Sequence, residues 1–458
     1  MLRELLIAAS PGEWRAALLE EGGPVELFVE RGDRNEAGSI HLGRVSRLLP
    51  ALSAMLVDIG GEKAAFLPQR EVFPRGRRLD EGERAVVQIR REAQGGKASR
   101  VTTGITLRGR LAELRPCRPG VVGGEALSPE ERAALLSVIA AGRAGLSRET
   151  AIGLRLLEPA PIEIVATEAA DLLRRWRDVL DRASRIAPPA RLDPRATFAA
   201  AIAAALPAPP ARILTDDPAA IPELRAVFAG AAVHHRPEAE WPIEIDALVD
   251  RALSGTVALD GGGSVHIETT RAAVLIDVDT GIPEQGSPER AGLAVNLAAA
   301  DAIAREIRMR NLGGGIVIDF VGLDGRALRG RVRDALADAL ARDPRRATLL
   351  GWTRLGHLEL VRPRHGRPLA EALLEQDAYA GPLKTAITVG HEALRALQRE
   401  ARAQPGRSWR LIVAPDVGSA LGGGAAKAFR MLEERFERRI AIETDTGLDR
   451  DRFQIAPV

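Results

Sequence analysis

Apolar positions in the first 36 residues fall in three short runs, RELLIAAS, GEWRAALLEE and PVELFVERG, which read as a strand, a turn and a strand. From about Ala37 the pattern changes to short alternating strands: SIHLGRVSRLLP (39–50), SAMLVDIG (53–60), KAAFLPQ (63–69), RAVVQIRRE (84–92) and ASRVTTGITL (98–107). Five short strands with glycine-bearing turns predict a small β-barrel of the OB type over 37–107. Helical spacing follows over 128–145, with Ser128 as N-cap and Glu131 as its capping-box partner, and over 168–186. The stretch APPARLDP (187–194) punctuates the chain. Beyond it come a helix (195–205), a strand (211–217) and a helix (219–229).

A larger α/β pattern begins near Trp241: a helix (243–253), the strand SVHIET (264–269), and TTRAAVLIDVDTG (269–281). A helix from Leu297 to Arg310 is expected next, with Asn296 as N-cap and Asn311-Leu312-Gly313 as its stop. Strand 315–320, a helix (327–341), ATLLGWT and LGHLELVRPR complete this segment. The last 80 or so residues read as a separate α/β piece: a helix near 382–402, strand 409–415, a helix (424–436) and two final strands. No internal repeat is evident. The expected class is multidomain α/β, α+β overall.

Composition narrows the function only slightly. The 458 residues are 46% hydrophobic and 28% charged, as in a globular protein of several domains. A net charge of +2 does not announce a nucleic-acid binder. Lysine occurs only at Lys63, Lys97, Lys384 and Lys427, so nearly all the basic residues are arginine. Arginine forks phosphate well, but abundant Ala, Gly, Pro and Arg is also what a GC-rich genome produces. No run of about 18 apolar residues predicts a membrane span. The N-terminus has too short an apolar stretch for a signal peptide and carries Glu4 and Glu13. The cytoplasm is therefore the expected compartment. Cys117, the single cysteine, excludes an intrachain disulfide and a cysteine-built zinc site, so no zinc is expected.

The chemistry concentrates at two strand ends. The run Ala272 to Ile276 breaks into Asp277-Val278-Asp279-Thr280-Gly281, and Ile316-Val317-Ile318 ends in Asp319. Residues two apart on a strand face one way, so Asp277 and Asp279 share a side, and Asp319 joins them if its strand lies alongside. Carboxylates gathered this way repel unless a cation relieves them. Oxygen ligands favour Mg²⁺, with Mn²⁺ an alternative. The competing reading makes each aspartate a cap for its following loop. On the intervening helix, Arg305, Arg308 and Arg310 lie off the apolar stripe; they suit either a solvated face or a phosphate-bearing substrate.

LIDVDTG followed by NLAAADAIAREIRMRNLGGGIVIDF resembles the catalytic core of the ribonuclease E/G family, which reads approximately IDVNTG, then NLEAA-IARQ-RLRNLGG-IVIDF. The likeness is ungapped from Asn296 to Phe320, and GRVSRLLPALSAMLVDIGGEKAAFLP (43–68) resembles the family's S1 domain. Order and spacing agree over about residues 1–370, and the tail more loosely. The resemblance implies a single-strand-specific endoribonuclease leaving 5′-phosphate ends. Asp277 and Asp319 would bind catalytic Mg²⁺, with Asp279 at a position that is normally Asn. It also implies a layout: an RNase H-like subdomain split between 1–36 and 187–240; an S1 domain (37–107); a sensor-like region (108–186); a DNase I-like catalytic subdomain (241–372); and a small C-terminal domain (373–458). Phe66 matches an aromatic that stacks a base, against the alternative of a barrel-core residue, while a neighbouring family aromatic is Leu56 here. Lys63, Arg44 and Lys97 would follow the RNA backbone, with Arg305, Arg308 and Arg354 as further contacts.

Three departures bear on function. The zinc-link motif CPxCxGxG, due near residue 375, is replaced by ALLEQDAYAGPLKTA, so any oligomer needs another interface. The Arg-Thr pair of the 5′-monophosphate sensor is missing from RLLEPAPIE (155–163), where Arg155 is a poor substitute; Arg354 matches a family arginine near that pocket. The aspartate usual after the second catalytic strand is Gly322, with Asp324 out of register. A non-catalytic RNA-binding paralogue is the competing function, and a metal-dependent DNA nuclease a more distant one.

Overall fold

A computed structural model describes all residues except 1, 32–36, 62, 93–97, 110, 124–126, 144–150, 158–159, 195–196, 207, 282–287, 365 and 378–380. The chain divides into two units: Met1–Asp33 with Ala196–Val458, and the inserted Arg34–Arg195.

The inserted unit holds a closed five-stranded barrel. Ile40–Leu49, Ala54–Asp58, Ala65–Pro68, Arg100–Thr102 and Arg84–Arg91 are neighbours in that order, and the last pairs back on the first. Ala65–Pro68 and Arg100–Thr102 run parallel while the other barrel pairs are antiparallel, which is the OB arrangement. Alternation explains the closure: Val45, Met55, Val57, Leu67, Val87, Ile89 and Val101 all point inward and form one buried core. A four-stranded sheet follows, covered by helices Pro129–Gly142 and Ile162–Arg185. The Ser128–Glu131 capping box is formed in full. The second helix begins at Ile162 rather than 168, because Val165 extends the buried stripe of Ala169, Leu172, Leu173, Trp176 and Val179 by one turn.

In the larger unit, Arg3–Ser10, Glu13–Glu20 and Gly23–Arg31 form an antiparallel meander. The run GEWRAALLEE is thus itself a strand, and the turns are the short links at 11–12 and 21–22. Arg212–Thr215 and Ala232–His235 join the same sheet in parallel, beside Arg3–Ser10. Its first strand carries the unbroken apolar run Leu5–Ala9 because both faces are covered: Leu5 and Ile7 pack on Ala199, Ile202 and Leu224, while Leu6 and Ala8 pack on Leu248, Val249 and Leu373.

The second sheet of this unit orders Thr256–Ala258, Ser264–Thr269, Ala273–Asp279, Gly314–Asp319, Leu358–Arg362 and Thr348–Trp352. Among the described residues, the core of this sheet lies on one face. Val274, Ile276, Val278, Ile316 and Ile318 pack against helices Pro288–Met309 and Arg326–Leu340, each such side chain contributing about 1.5–3 kcal/mol. A C-terminal three-stranded sheet packs with helix Ala386–Ala403. The helix expected over 424–436 is Ala426–Phe436, and a further helix, Pro415–Gly422, precedes it.

Between the first sheet and helix Ala386–Ala403 lies a buried ionic cluster. The Glu13 carboxylate accepts hydrogen bonds from Arg15 at 2.9 Å and from Arg31 and Arg395. Arg15 also reaches Asp246 at 2.9 Å and Glu392 at 3.1 Å. Burial alone would raise the pKa of Glu13, but Arg31, Arg15 and Arg395 outweigh it and hold the group well below the usual carboxylate range.

Candidate functional site

Asp277 and Asp319 are direct register partners on adjacent parallel strands, side by side on the uncovered face. Those strands are joined by helix Pro288–Met309 in a βαβ unit, which brings both C-terminal ends to the same edge of the sheet. Asp319 is 59% exposed, and no hydrogen bond or ion pair with another described residue engages the Asp277 carboxylate.

Asp279 serves differently. Its Oδ1 accepts the Gly281 N–H at 3.0 Å, so it shapes the loop after the strand. Gly263 makes that loop possible: at φ +89° it lies so close that a Cβ would meet the Asp279 carbonyl oxygen at 2.5 Å. Among the described residues, no group of three or more His, Cys, Asp or Glu converges tightly enough to hold an ion. The structure therefore brings together the pair, with Asp279 at its rim.

Two histidines flank the pair. His266 is the register partner of Asp277 on the far side, held between Thr256 Oγ1 at 3.1 Å and Ser264 Oγ at 3.0 Å. His357 Nε2 lies 3.6 Å from Asp319 Oδ2. Neither was evident from motif alone, yet alternation through SVHIET and GHLEL was signal enough to place both on the aspartate face. Arg354 is exposed in the turn just before His357, at the same end of the sheet.

Asn296 departs from the sequence expectation. The helix begins eight residues earlier, at Pro288, a residue suited to a first helical turn, and Asn296 lies inside it. Fully buried, its Nδ2 donates to the Val321 carbonyl at 2.8 Å and its Oδ1 accepts the Val321 N–H at 3.0 Å. This clamp fixes the backbone two residues beyond Asp319. Asn311 ends the helix as expected, at φ +54°.

Arg308 is excluded from substrate contact. Its side chain is 6% exposed and spent on Glu26 at 2.6 Å and Glu20 at 3.0 Å, which ties the helix to the first sheet. The apolar stripe alone does not reveal this, because the first sheet covers that side of the helix. Arg310 is likewise buried against Glu306. Arg305 is exposed, 3.4 Å from Asp301.

On the barrel, register sets Arg47, Leu56, Phe66, Arg100 and Arg91 in one row across all five strands. Phe66 and Leu56 are half-buried, outside the barrel core. Arg44 is exposed and donates to the Gly82 carbonyl at 3.1 Å, and Lys63 is exposed in a turn. Lys97 lies outside the described residues. No described helix is long and apolar enough to cross a membrane.

Residues 123–365 match the family model described as the ribonuclease E/G family. The chain is 30% identical over 500 residues to ribonuclease G of Haemophilus influenzae, and 28% identical over 495 residues to ribonuclease G of Salmonella typhimurium, covering 99% of each chain in both cases. It is 27% identical over 496 residues to ribonuclease E of Haemophilus influenzae, covering 99% of this chain and 52% of that protein.

Proposed function

Since this chain belongs to the ribonuclease E/G family, we propose that it is a metal-dependent endoribonuclease that hydrolyses single-stranded RNA, in RNA processing or decay, and leaves 5′-phosphate ends. The observation that carries the reading is the Asp277–Asp319 register pair on an open sheet face. Two adjacent carboxylates fit Mg²⁺, which binds through one or two carboxylates and keeps several waters; Mn²⁺ suits the same oxygen donors. A divalent ion there would supply Lewis acidity toward a phosphate oxygen and toward bound water.

The chain's own residues supply position. Asn296 fixes the backbone beyond Asp319, and Asp279 shapes the loop beyond Asp277. Thr256 and Ser264 orient His266 beside the pair. Arg354 offers a guanidinium for a phosphate at that edge. On the barrel, Phe66 offers a ring for one base, worth about 1–3 kcal/mol, with Arg44, Lys63, Arg47 and Arg100 placed to follow the backbone. RNA is the partner, the cytoplasm the compartment, and any oligomer forms without a zinc link.

The test is incubation of a 5′-labelled AU-rich single-stranded RNA, and the same sequence as DNA, with Mg²⁺, Mn²⁺ or chelator. Metal-requiring cleavage of RNA alone supports the reading. RNA binding without cleavage under every metal would leave a non-catalytic RNA-binding paralogue, and DNA cleavage would move the substrate class.

A further inference from the structure

We propose that the sheet face beside the Asp277–Asp319 pair is a base subsite: Leu275 and Val317 carry one nucleobase of the RNA, and Glu359 selects a base that bears an exocyclic amine. The inference rests on the ribonuclease reading of the neighbouring pair and adds a residue that chooses which sequences are cut.

Alternation fixes the geometry. Leu275 stands two residues before Asp277 and Val317 two before Asp319, so both share the carboxylates' face, about 7 Å back along the strands. Leu275 and Val317 are register partners. Glu268 continues their row on one side and Glu359 on the other. In the next row Gly315 stands between Ala273 and Val361. A Cβ on Gly315 would meet nothing within 4 Å, so the face dips there and leaves room for a flat ring.

Two observations argue that this face has a ligand. The first is that its apolar side chains stay uncovered: Leu275 is 44% exposed, Val361 42% and Leu350, on the adjoining strand, 61%. On the other face of the same strands Val274, Ile276, Ile316 and Ile318 are almost fully buried. An exposed apolar cluster rimmed by polar groups marks a binding surface. The second is that the rim is unspent. Glu359 is half-buried, yet no hydrogen bond or ion pair with another described residue engages its carboxylate, and the same holds for exposed Glu268. A half-buried carboxylate without a donor lacks the contact that would offset its lost hydration.

Charge decides the occupant. The charged groups of this row are both carboxylates, so it repels phosphate and leaves that group to the ion-binding row. Bases are not repelled. Unpaired adenine, cytosine and guanine offer exocyclic N–H donors to a carboxylate, whereas uracil flanks its one N–H with carbonyl oxygens on both sides. An apolar floor beside a free acceptor therefore holds a base and reads its amine.

The experiment uses the full-length protein and an AU-rich single-stranded RNA of about ten nucleotides in which one position at a time carries cytidine or uridine. Affinity is read by fluorescence anisotropy with Ca²⁺ neutralising the carboxylate pair, and kcat/KM is read with Mg²⁺. At one position cytidine should be preferred about tenfold in both, the usual discrimination of a single base contact. Glu359→Gln, which can also donate to a uracil carbonyl, should bring that preference below about twofold. Leu275→Ala should weaken binding of both RNAs alike, and Arg407→Gln, an exposed arginine far along the chain, should keep the wild-type preference. Circular dichroism checks that each variant folds. Preference in affinity without any cleavage would uphold the subsite and sink the nuclease reading alone. Equal affinity for cytidine and uridine at every position, or an undiminished preference in folded Glu359→Gln, overturns the subsite. So does a wild-type dimer that Leu275→Ala dissociates in sedimentation without changing RNA affinity, which would make the face a contact between two copies of the chain.

Discussion

Replacing Asn296 with alanine removes both hydrogen bonds to Val321, at 2.8 and 3.0 Å, from a fully buried site. Each bond contributes about 1 kcal/mol net, and a buried peptide group left unpaired costs about 1–3 kcal/mol. The sum is a destabilisation of about 3–5 kcal/mol, read from urea unfolding. The clamp also holds the chain just past Asp319, so RNA cleavage under native conditions should fall by more than the loss of folded protein explains. Asn296→Asp keeps the acceptor for the Val321 N–H and forfeits the donor, and should fall between wild type and Asn296→Ala in rate. A folded Asn296→Ala protein within about 0.5 kcal/mol of wild type, cleaving at the wild-type rate, would refute the clamp.

Other consequences are equally direct. Phe66→Ala should weaken binding of single-stranded RNA by about 1–3 kcal/mol in a filter-binding titration, and Leu56→Phe should strengthen it, since the two are cross-strand neighbours. His357→Ala should lower the cleavage rate about 10–100-fold, the usual cost of losing a group that supports a metal-site carboxylate, with RNA affinity unchanged in the same titration. Asp246 is held at about 2 because Arg395, Arg15 and Arg399 overcome a burial effect that would raise it. Its folded pKa is below its unfolded one, so its contribution is complete above about pH 4 and is lost as pH falls through about 2. The stability gap between wild type and Asp246→Asn should therefore narrow by about 1 kcal/mol between pH 6 and pH 3 in urea unfolding.

Local pattern carried the barrel and the two strand tips far, because alternation and turn residues decide them without distant help. Asp277 and Asp319 were legible as ends of matching apolar runs, and their exact register followed from a single βαβ connection. What depended on a second layer was not legible. Arg308 reads as a surface arginine until a strand bearing Glu26 is laid across it. Asn296 reads as a cap until Val321 lies beside it. The buried Glu13–Arg15–Arg395 cluster joins positions nearly 400 apart, and no window of sequence connects them.

The most direct test of the two-carboxylate centre is the single-turnover rate of RNA cleavage by Asp277→Asn, Asp319→Asn and the double variant, with RNA affinity measured in parallel. Groups acting as one unit are non-additive, so each single change should abolish nearly as much activity as both together, while RNA binding persists. Cleavage near the wild-type rate by either single variant would contradict the assignment of the strand-tip pair as the catalytic centre.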